Sequence, residues 1–299
     1  MSSYLEANAR ERIAKVLDAG SFTEFLPPAE RVVSPHLGQL DAPLSFDDGV
    51  VVGRGLLHGA TVFAAAQEGG FMGGAVGEVH GAKLVGMLKR AVAERAAAVL
   101  LMLETGGVRL HEANAGLIAV SEVMRAVLDT RAAGIPVIVL IGGSNGCFGG
   151  MGIVARCANA IVMSEEGRLA MSGPEVIETA NGVEEFDSRD RALVWRTTGG
   201  KHRYLLGDCS AIVADDTDAF RTAATQVLQA LKAGPVALSL ELLEAEHAML
   251  TQRIERFGDA DDALEIWRRL GFDAPQALPM LEAAAFATLA QSHRLGTQA

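Results

Sequence analysis

Cysteine is scarce in this chain, with three in 299 residues, Cys147, Cys157 and Cys209, never spaced as C-x-x-C. An odd number without that spacing excludes a disulfide framework and a zinc ribbon, and it predicts a reducing, cytoplasmic setting. The seven histidines show no H-x-H or H-E-x-x-H spacing, so no metal is expected. Basic residues are in deficit, 26 Lys and Arg against 37 Asp and Glu for a net charge of -11. That balance repels phosphate backbones and anionic lipid, so neither nucleic acid nor membrane is an expected partner. Long apolar runs are also missing. The longest, Ala96–Leu103 and Ile135–Ile141, fall far short of the roughly 20 residues that span a bilayer. The opening MSSYLEANARERIAKVL carries charges throughout and has no secretory core.

Apolar residues and glycine are plentiful. At 49% hydrophobic and 21% charged the chain has the apolar surface to fold, as about two domains or one large α/β unit with an appendage. Glycine reaches 33 residues, well above the usual share of about 7%. Seven lie between Gly69 and Gly86 and six between Gly142 and Gly152, so backbone in those stretches is held close to something.

An amphipathic helix is predicted over 3–18, with Leu5, Ala9, Ile13 and Val16 on one stripe and Gly20 as its stop. Asp48–Gly55 and Thr61–Ala66 read as a hairpin through Leu57-His58-Gly59, and 78–95 as a helix. Strand 98–104, helix 111–132, strand 136–142, a short helix near 149–156 and strand 160–164 follow. Apolar strands alternating with helices imply a parallel sheet buried on both faces. Two units share a plan of strand, glycine loop and helix, the loops being Thr105-Gly106-Gly107-Val108 and Cys147-Phe148-Gly149-Gly150, which predicts that they face one pocket. After about residue 215 the texture is helical. Leu240, Leu243, His247, Leu250, Ile254 and Phe257 form one helix stripe, suited either to packing on its own domain or to docking a partner subunit.

Three motifs mislead. Gly142-Gly143-Ser144-Asn145-Gly146 matches the G-x-S-x-G of a nucleophile elbow, with His202, His247 and His293 downstream, but Gly149, Gly150 and Gly152 interrupt the helix that should follow. A thioester hydrolase using Ser144 is kept as an alternative, as is a noncatalytic scaffold. Gly150–Ala155 matches a dinucleotide fingerprint but begins too late after its strand, and Gly199-Gly200-Lys201-His202 lacks the Gly and Ser/Thr of a phosphate loop. Lys201, His202 and Arg203 remain candidates to meet a phosphate as point charges. Between Pro136 and Ala155 no residue is charged, so chemistry there runs on peptide N–H groups, fixed dipoles able to stabilise an oxyanion. Gly107-Val108 and Gly149-Gly150 are the candidate donors.

Asp48-Gly49-Val50-Val51, Phe71-Met72-Gly73-Gly74-Ala75-Val76-Gly77-Glu78, Thr105-Gly106-Gly107-Val108-Arg109, Cys147-Phe148-Gly149-Gly150 and Met171-Ser172-Gly173-Pro174-Glu175, in that order, resemble the carboxyltransferase family of acyl-thioester enzymes. Arg10-Glu11-Arg12-Ile13 and Asp18-Ala19-Gly20-Ser21-Phe22 resemble its start, so the likeness spans about residues 8–215. It implies an α/β crotonase-like fold of repeated ββα units over 1–235 and a helical extension over 236–299. It further implies decarboxylation of a malonyl thioester on the phosphopantetheine-type arm of an acyl carrier protein, together with a homologous partner subunit.

In that reading Gly107 or Val108 and Gly149 or Gly150 hold the thioester oxygen. Phe71, Met72, Gly73, Gly74, Gly106, Ser172, Gly173 and Pro174 shape the pocket. The alternative within the class is carboxyl transfer to a biotin protein. Against it, Val108 stands where carboxylases have Ala, and Phe148 and Met151 bring bulk that narrows the pocket, so biotin is not expected and this chain binds no cofactor of its own.

Overall fold

The computed structural model describes residues 2–41, 46–234 and 236–296. One seven-stranded sheet organises them, with strands β1 (Thr23–Phe25), β2 (Val50–Leu57), β3 (Ala60–Gln67), β4 (Ala98–Met102), β5 (Val137–Ile141), β6 (Ala160–Ser164) and β7 (Ala211–Val213) in spatial order. β1, β2 and β3 pair antiparallel, whereas β3 through β7 are parallel. Every residue of β4, β5 and β6 is buried, as their unbroken apolar runs require when both faces are covered.

Helices α1 (Ala9–Val16), α2 (Glu78–Ala93), α3 (Asn114–Ala132), α4 (Gly150–Arg156), α5 (Pro174–Asn181), α6 (Arg191–Thr198), α7 (Gly200–Leu205), α8 (Thr217–Leu231), α9 (Leu240–Phe257), α10 (Ala263–Arg269) and α11 (Ala283–Ala290) complete the fold. Alternate strand residues enter different cores. Leu101 and Val139 join α2, α3 and α4, while Leu100 and Leu140 join α1 and α8. This is the period-2 geometry of a sheet between two layers. No helix among the described residues is long and apolar enough to cross a membrane.

The first helix is shorter than its sequence stripe. Asn8 and Glu11 form a capping box that starts α1 at Ala9, and residues 2–6 run irregularly to α8, where Tyr4 stacks on Phe220 at 4.0 Å. α3 starts at Asn114 because Leu110–Glu112 makes a 3-10 turn and Ala113 takes φ 50°.

The stripe on α9 does not pack on the body. Leu240, Leu243, Leu250 and Ile254 are exposed and only Phe257 is buried. The inward side is held by ion pairs, Glu246 with Arg156 at 2.9 Å and Arg253 with Asp208 at 2.8 Å. Trp267, Leu270, Phe272, Leu278 and Phe286 from the rest of the tail enter the larger core.

At Gly142, just beyond β5, an added Cβ would lie 2.8 Å from both Phe220 and Tyr4. Gly142→Ala should therefore destabilise the fold by about 1–3 kcal/mol, read as a lower urea midpoint. An unchanged midpoint would show that this contact is not tight.

Candidate active site

β4 and β5 lie side by side and parallel, so the loops leaving their carboxyl ends emerge together. They continue as a short second ladder in which Thr105 pairs with Cys147 and Cys147 with Leu169. The Thr105 N–H donates to Gly146 O at 2.8 Å and the Phe148 N–H to Thr105 O at 3.0 Å. Gly107 at φ +145° and Gly149 at φ +64° hold conformations that suit glycine. A Cβ on Gly149 would stand 3.3 Å from Gly107 Cα, so a side chain at 149 would crowd the facing loop.

The fate of each N–H separates the candidate donors. Gly107 donates to Thr105 Oγ1 at 3.0 Å, Gly149 to Met171 O at 2.9 Å and Gly106 to Gly73 O at 2.9 Å. Among the described residues, no acceptor takes the N–H of Val108 or Gly150. Sequence left each pair open. The free donors are Val108 and Gly150, while Gly107 and Gly149 supply the close approach.

The Met72–Gly74 turn crosses the first loop through that Gly73 carbonyl, and 171–174 runs beside the second, with Gly173 facing the Phe148 ring. Ser172 is half-buried and Pro174 opens α5. Phe71 and Met72 line a cavity of about 280 Å³ with Ser34, Asp47, Arg109 and Glu112. The Arg109 guanidinium is bound by Asp47 and lies 3.3 Å from Glu112 and 5.2 Å from the Phe71 ring centroid. Burial opposes ionisation of Asp47, yet the Arg109 contacts and the Gly49 N–H hold its carboxyl below the ordinary value.

Phe148 and Met151, expected to narrow the pocket, are buried in the core instead. The part of the steric reason for leaving biotin out that rested on these two residues therefore fails. Ser144 is no elbow nucleophile. Its Oγ donates to Glu104 Oε1 at 3.1 Å, and no histidine among the described residues is bonded to it.

The basic cluster is also reassigned. Lys201 Nζ caps Pro279 O at 2.8 Å and Leu281 O at 2.5 Å, Arg203 pairs with Asp208 at 3.1 Å, and His202 Nδ1 accepts from Trp267 Nε1 at 3.1 Å. Lys201 and His202 are buried and fasten the tail to the body. The Lys201 and Arg203 charges are satisfied internally, so the cluster is not offered to a phosphate. Sequence reading missed Glu104, a buried carboxylate paired with Arg12. Its only signal was an acid placed directly after an apolar strand. No group of His, Cys, Asp and Glu among the described residues is placed to hold a metal.

A carboxyl transferase domain model matches residues 6–233. The malonyl-S-ACP:biotin-protein carboxyltransferase of Malonomonas rubra is 42% identical over 311 aligned residues, 98% of this chain and 96% of that protein. A Pseudomonas malonate decarboxylase hetero-tetramer in complex with malonate contains a chain 42% identical, with TM-score 0.78, covering 90% of this chain and 97% of that one. The Pseudomonas hetero-dimer of the same enzyme gives 38% identity and TM-score 0.63 over the same shares.

Burial pushes His80 and His202 down to about 3, whereas histidines in an unfolded chain titrate near 6.5. Because the folded values are the lower ones, the contribution of each ring is whole above pH 6.5. It is lost as pH falls from there toward 3, at up to about 1.4 kcal/mol per pH unit. Urea midpoints should drop between pH 7 and pH 5, and less steeply in His202→Gln, which keeps an acceptor for Trp267. Equal slopes in wild type and variant would contradict a neutral buried His202.

Proposed function

This chain belongs to the carboxyl transferase family, and from that premise we propose that it is the β-type subunit of a malonate decarboxylase, acting on a malonyl thioester carried by an acyl carrier protein. The observation that carries the reading is the pair of unengaged N–H groups, Val108 and Gly150, on two loops joined by backbone hydrogen bonds. Similarity to the Pseudomonas and Malonomonas proteins supports the substrate class.

When the bond between the carboxylate carbon and Cα breaks, CO2 leaves. The bonding pair passes through Cα into the thioester carbonyl, giving an enolate that takes up a proton to become an acetyl thioester. Negative charge grows on the thioester oxygen, so two donors aimed there stabilise the transition state more than the ground state. Val108 and Gly150 take that role. Phe71 to Gly74, Gly106 and Ser172 to Pro174 wall the pocket.

Around the donors Leu110, Leu117, Ile118, Met171 and Val176 are exposed, an apolar rim suited to a partner subunit. A homologous subunit seated there supplies the half-site for the departing carboxylate. Residues 1–235 form the carboxyltransferase body in this reading and 236–299 its extension.

The Malonomonas relative favours a second reading, transfer of the carboxyl group to a biotin protein. Labelled CO2 release from malonyl thioester, with and without avidin, separates the two: inhibition by avidin selects transfer.

Alone, the chain should decarboxylate malonyl thioester at under roughly a hundredth of the rate of the reconstituted pair, since one half-site is missing. Full activity of the monodisperse isolated protein would refute the two-subunit reading. A Cβ at Gly150 would meet Val120 at 2.5 Å, so the donor is best tested in a Val120→Ala background. There Gly150→Pro, with proline accepted at a first helical position, should lower kcat on the order of 100- to 1,000-fold relative to Gly150→Ala, which keeps the N–H. KM should change less. Equal kcat for the two would remove Gly150 from the oxyanion hole.

A further inference from the structure

We infer that Glu104 is a positioning residue that sets the spacing of the two donor loops. This rests on the reading just given for the loops' chemistry, although the link itself is geometric. Glu104 lies two residues beyond β4 and leads covalently into Thr105–Val108. Its side chain reaches the other loop, where Oε1 accepts from Ser144 Oγ and from the Asn145 N–H, both at 3.1 Å. One residue is thus tied to both loops.

The carboxylate is buried, and its other oxygen meets the Arg12 guanidinium of α1. Arg12 is itself fixed, its Nε donating to Tyr4 O at 3.0 Å. Behind, the Glu104 N–H donates to Gln67 Oε1 at 2.9 Å. The space for this carboxylate is cut out of neighbouring backbone, since a Cβ at Gly69 or Gly143 would run into it and one at Gly74 would run into the Glu104 carbonyl.

A buried ion pair contributes little net stability compared with apolar residues of the same volume. What it does supply is direction. A carboxylate with fixed lone pairs holds its donors at set distances, and here those donors decide how far the 143–150 loop stands from the 105–108 loop. Ser144 of the G-x-S-x-G match finds its role as a tie to Glu104.

The reconstituted two-subunit protein with Glu104→Gln tests this, because the amide keeps the shape but faces Arg12 or the Asn145 N–H with a donor. Hydrogen exchange should quicken together in peptides covering 105–110 and 143–151 and stay unchanged in α8, whereas a merely structural role would loosen the whole fold. For decarboxylation, kcat should fall on the order of 100-fold with KM within about threefold, as loop misplacement predicts. If Glu104→Gln does not fold, Ser144→Ala decides: it should quicken 143–151 and leave 105–110 as in wild type. Unchanged exchange in 143–151 in either variant overturns the inference. A wild-type complex inactive on malonyl thioester would defeat the functional reading, while the exchange data would still decide the positioning role.

Discussion

Two glycine loops joined backbone to backbone, Thr105 to Gly146 and Phe148, govern this molecule. Adjacent parallel strands stand only about 4.8 Å apart, so the loops leaving β4 and β5 run side by side. Glycine at 107 and 149 follows from their positive φ, with Gly149 also close to Gly107, and Gly69 and Gly143 clear space for the carboxylate beneath. The absence of charge between Pro136 and Ala155 has the same origin, because a charged side chain in so narrow a space would go unsolvated. What looks in composition like an excess of a flexible residue is here a rigid part of the protein.

The sheet was legible because parallel strands buried on both faces must be written as apolar runs, and Ala98–Met102, Val137–Ile141 and Ala160–Ser164 have no other plausible place. The two glycine loops were legible for the reason just given. Which N–H in each loop is free was not, since that depends on where the Thr105 hydroxyl and the Met171 carbonyl fall in space. Lys201, His202 and Arg203 misled for a related reason. Basic side chains look alike in sequence whether they await a phosphate or, as Lys201 and His202 do, meet carbonyls and an indole some 65 to 80 residues downstream, or, as Arg203 does, a carboxylate five residues on. On α9 the stripe was visible, but its direction was set by Arg156 and Asp208, residues outside the helix.

Several cations in this acidic protein serve as internal ties. Lys83 caps Val50 O at 2.5 Å, and Arg131 reaches Cys157 O at 2.6 Å and Val236 O at 3.2 Å. A buried cation bonded to carbonyls avoids the cost of an unpaired charge while joining segments distant in sequence. Arg109 does the same with carboxylates, joining Asp47 to the loop that ends the first donor segment. The net charge therefore describes the surface and says little about the interior.

The N-terminal segment carries a consequence for the order of assembly. Ser2 bonds Asp216 across 214 positions of sequence, and Tyr4 rests on Phe220, so Arg12 is locked in place only once α8 exists to receive the segment. Closing so long a loop costs only modestly more entropy than closing a short one, since the penalty grows with the logarithm of length, but contacts of such separation form slowly. During synthesis residues 2–4 must wait for 216–220 to be made. Until α8 is in place the Arg12 that meets Glu104 has no fixed seat, so the acid at the head of the first glycine loop gains its counter-ion only when two distant parts of the chain have met.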